Sequence, residues 1–279
     1  AWNGLMISAL AQASLVLDEP VYAERAARAA DYLLRTLRRG DRLLRAALDG
    51  AAQQTAYLDD YAFLIAGLLD LYEADGDLRW LEEATALDAV LERDYEDISG
   101  GGFFRTAADQ VSLLTREKPT YDAAEPSGNS VAVLNLLRLH ELTTDDRYRV
   151  RAERAFAAFG AMLADSPAGV SEMLLAVDFQ LDTPKEIVLV VPVGRDDAAP
   201  FLDELQARFL PNRILVIVAE GDELERHAQI VPLLEGKTVR DGQATAYVCE
   251  NRICDLPTTD PAVFATQIGT VHPLAPPVP

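Results

Sequence analysis

Three carboxylates stand at positions where they could transfer protons: the adjacent pair Asp59 and Asp60, and Glu125. Paired carboxylates in a cleft can differ in pKa, so that one acts as the acid and the other as the base on a glycosidic bond. Acids in the first turn of a helix also cap that helix and complement its dipole. Catalysis and capping therefore both stay open for this pair, and we favour Asp60 for catalysis.

A second group of residues could bind the ring and the hydroxyl groups of a small-molecule saccharide. These residues offer aromatic faces, amides and a guanidinium: Trp2, Asn3, Tyr61, Arg116 and Asn129. The alternative for the charged members is a set of salt bridges within one loop, in which Arg116 and Lys118 pair with Asp122 and Glu125. We favour the salt-bridge role for Lys118 and Asp122, and ligand binding for Glu125 and Asn129.

The sequence does not have the residue patterns that other catalytic chemistries require. The three histidines, His140, His227 and His272, fall at the far end of a helix or in the C-terminal part, which disfavours a histidine-based epimerase. No GxSxG, Walker or GxGxxG motif follows a strand. Cys249 and Cys254 cannot form a four-ligand zinc site alone and are not a CxxC motif; free thiols and a local disulfide stay open. We predict no metal and no cofactor.

Charge and hydropathy exclude two classes of partner. The net charge of the 279-residue chain is −20, with only 25 basic side chains, which argues against nucleic-acid binding because phosphate contacts need clustered lysine and arginine. The longest apolar run, Tyr61 to Leu69, is less than half of a membrane span. We therefore expect no nucleic-acid partner, no membrane insertion and a cytoplasmic location.

An internal repeat positions these residues. Asn3, Tyr61 and Asn129 are separated by 58 and then 68 residues. The same two intervals separate Tyr22, Trp80 and Tyr148, and also Ala26, Ala84 and Ala152. Such self-similarity marks stacked supersecondary units. Asp60 aligns with Trp2 and Gly128, one place before the repeated Asn/Tyr/Asn position, which is why we favour it over Asp59.

Each unit pairs two kinds of helix. Segments 61–72 and 131–142 are apolar nearly all round, as in a helix buried on every side, whereas 77–92 and 146–163 are apolar on one face. We predict inner helices that start near residues 3, 60 and 129 and run parallel. The long connections, 39–57 and 94–126, then lie together at the starts of the inner helices. We predict a β-hairpin from 100–106 with 111–114, and a smaller one within 41–50.

The pattern changes after a last helix at 168–180. Three short β-rich runs, 186–193, 213–219 and 245–250, alternate with helical stretches near 198–209, 222–235 and 261–268, which predicts a small parallel sheet. We place the domain boundary at Pro184, so that residues 1–183 form the helical-hairpin domain and 184–279 a small α/β domain. We expect the proline-rich tail from His272 to be extended or disordered.

The chain carries a series of motifs in order: Trp2-Asn3-Gly4-Leu5-Met6-Ile7, the segments 58–64, 101–104 and 126–131, and Cys249-Glu250-Asn251-Arg252-Ile253-Cys254 with Pro257-Thr258-Thr259-Asp260. Across nearly the whole chain, these motifs resemble the spermatogenesis-associated, thioredoxin-domain-containing family. The resemblance implies a thioredoxin-like domain upstream and a six-hairpin barrel similar to N-acylglucosamine 2-epimerases and related glycosidases. The present chain lacks the thioredoxin-like domain and holds about three hairpins, so we expect an incomplete barrel that exposes apolar surface.

The expected fold class is therefore mainly α: a partial α/α toroid, six-hairpin-glycosidase-like, followed by a small α/β domain. Two functions fit this expectation. In the first, the mouth where the inner helices begin binds a saccharide and isomerises or hydrolyses it. In the second, the toroid is a non-enzymatic scaffold or partner-binding module that serves the upstream thioredoxin-like domain. The two differ in whether the carboxylates meet at an open site or are used as caps and salt bridges.

Overall fold

A computed structural model describes residues 1–48, 51–110 and 115–270, without the side chains of Leu48 and Ala51. The chain divides into two compact units. The first contains Ala1–His140 and Asp145–Val177, and the second contains Glu141–Thr144 and the described residues from Asp178 onward. The boundary predicted at Pro184 falls between the last helix of the hairpin region and the first strand that follows it.

Three α/α hairpins build the helical region. Their helices are α1 Trp2–Leu17 and α2 Pro20–Thr36, α3 Leu58–Asp75 and α4 Leu78–Asp94, and α5 Gly128–Thr143 and α6 Asp146–Asp165. The short connections end one helix and begin the next. Gly76 takes a left-handed conformation after α3, and the side chain of Asp77 then accepts a 3.0 Å hydrogen bond from the Arg79 amide to cap α4. Asp145 caps α6 in the same way. The predicted starts of the inner helices are confirmed to within two residues.

The inner and outer helices differ in burial as their sequences predict. Helix α3 buries almost every residue, including Tyr61, Phe63 and Tyr72. Helix α4 buries only one face, which carries Trp80 and Leu87 among others. An all-round apolar helix needs neighbours on every side, whereas a one-face helix can border water. The alternation of the two types therefore produces an inner row and an outer row.

Glycine lets two inner helices touch. A Cβ atom added to Gly4 of α1 would lie 2.5 Å from the Phe63 carbonyl carbon of α3, and one on Gly67 would lie 2.8 Å from the Gly4 carbonyl oxygen. Only glycine permits this backbone contact. Farther along, Ser8 donates a hydrogen bond to Asp70. Because later residues of α1 contact later residues of α3, the two helices run parallel.

Helix α5 lies beside α3 in the same direction. Gly128 adjoins Asp59 and Leu58 at the start of α3, and Asn135 Nδ2 donates to the Ala62 carbonyl at 2.8 Å. Arg138 then reaches Asp70 at 2.8 Å. The three inner helices therefore begin at one end, which confirms the predicted parallel arrangement.

Two long connections lead to the starts of α3 and α5. The first is a three-stranded antiparallel sheet of β1 Arg38–Arg39, β2 Arg42–Leu48 and β3 Ala51–Thr55. The smaller hairpin was predicted within 41–50, but the described part of that range holds only β2, and the strand that pairs with it, β3, begins at Ala51. Asp49 and Gly50, where the predicted hairpin ended, lie outside the described residues. In the second, the described part holds one isolated bridge between Glu96 and Phe103. Residues 111–114, the other half of the hairpin predicted there, also lie outside the described residues.

The chain continues through a 3-10 turn at Pro167–Gly169 and α7 Ser171–Leu181 into the α/β region. That region contains β4 Lys185–Val191, α8 Ala199–Gln206, β5 Arg213–Ala219, α9 Asp222–Ala228, β6 Thr245–Glu250, β7 Ile253–Cys254 and α10 Pro261–Gly269, with 3-10 turns at Arg195–Ala198 and Pro232–Leu234. The tail from His272, predicted to be extended or disordered, lies outside the described residues.

The sheet of this region is mixed, so the prediction of a parallel sheet was wrong in part. The strand order is β5-β4-β6-β7; β4 and β5 are parallel, but β6 pairs antiparallel with β4 and β7 with β6. A tight turn joins β6 to β7, in which Asn251 and Arg252 have φ values of 50° and 65°. Cys249 and Cys254 face each other across this pair and form a disulfide. The sequence had left that bond as one of two alternatives.

The predicted fold class is confirmed: the chain is mainly α, built from α/α hairpins with parallel inner helices, followed by a small α/β region. Within the part of the chain that the structure describes, no helix combines the length and the apolar character that a bilayer crossing requires.

Candidate functional site

The candidate site is the end of the first unit where α1, α3 and α5 begin. We call this end the mouth and define it by Trp2, Asp59, Asp60 and Glu125 together with the two long connections. Trp2 opens α1, the two aspartates lie in the first turn of α3, and Glu125 precedes α5. The parallel inner helices therefore bring together residues that are up to 123 positions apart in sequence.

Asp60 is used within the protein. Its Oδ2 accepts a 2.8 Å hydrogen bond from the Tyr57 amide, which caps α3, and lies 3.3 Å from Arg45 Nη1. Its Oδ1 accepts a 2.9 Å hydrogen bond from the amino group of Ala1, the first residue of the sequence. The residue is only 7% exposed. Both oxygens are therefore engaged, as the capping and salt-bridge interpretation of this residue expects.

Asp59 differs from its neighbour. It is half-buried, and the backbone amide of Gly128 donates to it. Burial raises the pKa of the Asp59 carboxyl, and the nearby Asp60 charge adds to the rise, although Arg105, the Gly128 amide and Arg45 oppose it. A carboxyl whose pKa is raised retains its proton at a higher pH than an exposed aspartate does. The raised pKa makes Asp59 a candidate proton donor at the mouth.

Trp2 presents an aromatic surface that is held in place. Its Nε1 donates a 2.9 Å hydrogen bond to Glu125 Oε2, yet 73% of the residue is exposed. The ring is thus oriented without being covered. Asn3 lies next to it and is also exposed. An indole in this position offers an apolar face together with a polar edge.

Asn129 instead holds the long connection against α5. It is fully buried; its Oδ1 accepts from the Phe103 amide at 2.7 Å, and its Nδ2 donates to the carbonyls of Phe103 and Pro119 at 2.9 and 2.8 Å. All of these contacts are internal. The structure therefore places Asn129 beneath the mouth and not on its open surface.

Arg116 and Tyr61 also support the mouth from within. Arg116 donates from Nη2 to the Asp94 carbonyl at 3.1 Å and also binds the Thr106 carbonyl, which secures the second connection. Tyr61 is fully buried, and its hydroxyl accepts from the Leu43 amide at 2.8 Å. Both residues were predicted to bind substrate; their positions favour a structural role, because their polar groups are already satisfied.

The expected loop salt bridges form with other partners. Lys118 pairs with Asp97 at 2.6 Å and not with Asp122 or Glu125. Asp122 accepts hydrogen bonds from the Ser127 and Glu172 amides at 2.6 and 2.9 Å. Glu125 is left to bind Trp2. The loop that precedes α5 is therefore fixed mainly through hydrogen bonds to its backbone.

Sequence reasoning missed three residues at the mouth: Arg45 on β2, Tyr57 at the N-cap of α3, and Arg105 in the second connection. The Arg45 and Arg105 guanidinium carbons lie 4.6 and 5.3 Å from the centre of the Tyr57 ring. Their presence in the two long connections was the available signal, since those connections were predicted to lie at the mouth.

Chemically, the mouth offers an oriented aromatic face, a carboxyl that can hold a proton, a second carboxylate and two guanidinium groups. Among the described residues, no cluster of three or more histidine, cysteine or acidic side chains could hold a metal ion.

Comparison with known proteins relates the chain to large eukaryotic proteins. It is 35% identical over 272 residues to spermatogenesis-associated protein 20 of Homo sapiens and 33% identical to that of Mus musculus. The match covers 94% of this chain but only 34% of the relative. The chain resembles one third of that protein. An uncharacterized protein of Caenorhabditis elegans is 28% identical over 266 residues, which cover 92% of this chain and 36% of the relative. No protein-family model matches the chain.

Two solved structures share part of the helical arrangement. Cellobiose 2-epimerase from Spirochaeta thermophila aligns with a TM-score of 0.48 and 20% identity, over 59% of this chain and 43% of its own. The GH76 α-mannanase BT2949 from Bacteroides thetaiotaomicron aligns with a TM-score of 0.45 and 17% identity, over 57% and 43%.

Proposed function

We propose that the mouth binds a saccharide and isomerises or hydrolyses it. The observation that carries this proposal is the exposed indole of Trp2, held by Glu125 at the same mouth as the half-buried acid Asp59. An aromatic face covers the apolar side of a sugar ring, and carboxyl groups bind its hydroxyls and handle its protons. A fixed, exposed ring needs no rearrangement to receive such a ligand.

Asp59 is the proposed general acid. Because burial raises its pKa, the protonated form of Asp59 is favoured over that of an exposed aspartate, and this form can donate its proton to a ring or glycosidic oxygen. Glu125, which is exposed at the mouth, is the proposed second carboxylate and would stabilise positive charge that develops on the sugar. Asp60, favoured for catalysis from sequence, is assigned the role of positioning Arg45 and the first turn of α3.

The test compares Asp59→Asn with Asp60→Asn on a panel of neutral gluco- and manno-configured disaccharides. We expect Asp59→Asn to lower turnover by roughly 10²- to 10⁴-fold, as for loss of a general acid, with little change in melting temperature. Asp60→Asn should mainly lower stability, since it removes the charge that faces Arg45. Asp146→Asn, an exposed substitution on α6, is the matched control. Turnover that survives Asp59→Asn would remove Asp59 from the mechanism.

A second candidate function is a non-enzymatic module that binds a partner, such as the thioredoxin-like domain implied by the family resemblance. The observation that favours it is the exposure of three apolar side chains on α1: Met6, Val16 and Leu17 are 58%, 64% and 58% exposed. Saccharides that leave the melting temperature and the NMR spectrum unchanged, together with binding of a thioredoxin-like fragment that Met6→Lys abolishes, would favour this module. The cytoplasmic location remains a prediction under either function.

A further inference from the structure

Two arginines converge on one tyrosine at the mouth. Tyr57, the N-cap residue of α3, has the Arg45 guanidinium carbon 4.6 Å and the Arg105 guanidinium carbon 5.3 Å from its ring centre. Both cationic groups therefore lie beside the same ring, and the distance between their guanidinium carbons cannot exceed the sum of the two distances to the ring centre. A guanidinium over an aromatic ring is restrained by the contact and keeps its N–H donors free to bind other groups.

The positive charges of the two arginines are only partly compensated by nearby carboxylates. Arg105 pairs with Glu117 at 3.4 Å, and both side chains are largely exposed, at 45% and 67%. Arg45 is 38% exposed and lies 3.3 Å from Asp60, which also accepts a hydrogen bond from the Tyr57 amide. Each guanidinium has five N–H donors, and among the described residues each of these two makes one such contact. The Arg105–Glu117 pair is exposed, contributes little and can exchange for a better acceptor, whereas the carboxylate that faces Arg45 is only 7% exposed.

A further charged group near both arginines is Asp59. Glu125, the other carboxylate of the mouth, is hydrogen-bonded to Trp2. The charge of Asp59 attracts both arginines, but burial raises the pKa of this carboxyl and so favours its neutral form. Whenever Asp59 holds a proton, the two arginines beside Tyr57 lose part of the negative charge that compensates them. A neutral sugar has no negatively charged group that could replace the charge of Asp59.

We propose that the mouth selects a saccharide that carries an anionic group, and that Arg105 and Arg45 bind that group beside Tyr57. The inference rests on the proposed function, because it names the class of sugar for the same site. A carboxylate of a uronic acid and a phosphate ester share the chemistry involved: both present oxygens in the geometry of the arginine fork. The Trp2 face would then hold the sugar ring.

The experiment measures binding of D-glucose, D-glucuronate and D-glucose 6-phosphate to the full chain by calorimetry. We expect at least one anionic sugar to bind about tenfold or more tightly than glucose, as one charge-assisted contact provides. The two anionic arms distinguish a carboxylate from a phosphate. Arg105→Gln should abolish the preference, so that neither anionic sugar binds more tightly than glucose does. Arg105→Lys, which keeps the charge but loses the fork, should retain part of the preference.

Arg149→Gln is the matched control, since Arg149 is a similarly exposed arginine that pairs with a surface carboxylate on α6. It should leave every affinity unchanged. Glucose that binds as tightly as both anionic sugars would overturn the inference while the proposed function stands. A preference that survives Arg105→Gln would overturn the assignment of Arg105. If none of the three sugars binds, the proposed function itself fails, and the inference falls with it.

Discussion

The inner helices carry polar clusters at both ends, and the two clusters are built differently. At the mouth, Trp2, Arg105 and Glu125 are largely exposed, and Arg105 has one loose ionic partner. At the opposite end, Arg138 lies 2.8 Å from Asp70 and 3.0 Å from Glu73, with all three side chains at most 12% exposed.

The partners explain the difference. Asp70 also accepts hydrogen bonds from Ser8 and, at 3.1 Å, from Gln12, so that α1, α3 and α5 are joined by a single network. Burial alone would lower the pKa of Arg138, but Asp70 and Glu73 outweigh it and raise the pKa, so the guanidinium stays charged. A closed network of this kind holds the helices together, whereas the exposed groups at the mouth remain available to a ligand.

The largest expected effect on stability comes from disrupting the buried network around Arg138. Arg138→Ala leaves Asp70 and Glu73 buried without their cation, which should lower the free energy of unfolding by about 3–5 kcal/mol. The matched change at the mouth, Arg105→Ala, removes only an exposed pair and should cost less than about 1 kcal/mol. Urea denaturation of both variants measures the difference. Equal losses at the two ends would contradict the comparison.

A smaller effect is expected within the mouth, at two asparagines in equivalent positions of the repeat. Asn129→Ala leaves the Phe103 amide and two carbonyls without their partner, and should cost roughly 2–4 kcal/mol. Asn3→Ala changes an exposed side chain and should stay within about 0.5 kcal/mol. Thermal melting checks both. Similar melting temperatures would mean that Asn129 does not secure the second connection.

The pH dependence of stability should report Asp59. Burial raises its pKa in the folded chain above the unfolded value, so the folded state binds this proton more tightly. The resulting stabilisation is fully present below about pH 4, the unfolded pKa, and is lost as the pH rises through the folded pKa. Asp59→Asn should therefore flatten the upper part of the stability–pH curve. An unchanged curve would show that Asp59 is not desolvated.

The smallest effect on stability is expected at the exposed apolar side chains of α1. We expect the native chain to bind a hydrophobic dye there, and Met6→Lys combined with Val16→Lys to reduce the fluorescence while stability changes by less than about 0.5 kcal/mol per site. Tyr32→Lys, at an isolated exposed aromatic on α2, is the control. A native chain that leaves the dye dark would argue against an open apolar face.

The roles of the adjacent aspartates show where sequence reasoning reached its limit. Both lie in the first turn of α3, and the repeat favoured Asp60. The structure engages Asp60 with Tyr57, Ala1 and Arg45 and leaves Asp59 half-buried beside Gly128. Arg45 lies on the first connection, and the partner of Asp59 lies on α5. Neither contact has a local signature, because both join segments that are distant in the chain.

What the sequence determined by itself was the set of helices and their order. Apolar periodicity, the Asp77 and Asp145 caps and the intervals of 58 and 68 residues depend on neighbours within one turn or one repeat, so they can be read along the chain. Only the tertiary structure decided which polar residues are exposed to solvent. Asn3 and Asn129 share a repeat position, yet one faces solvent and the other is fully buried. Burial and hydrogen-bond partners are set by the segments packed around a residue, and those come from elsewhere in the chain.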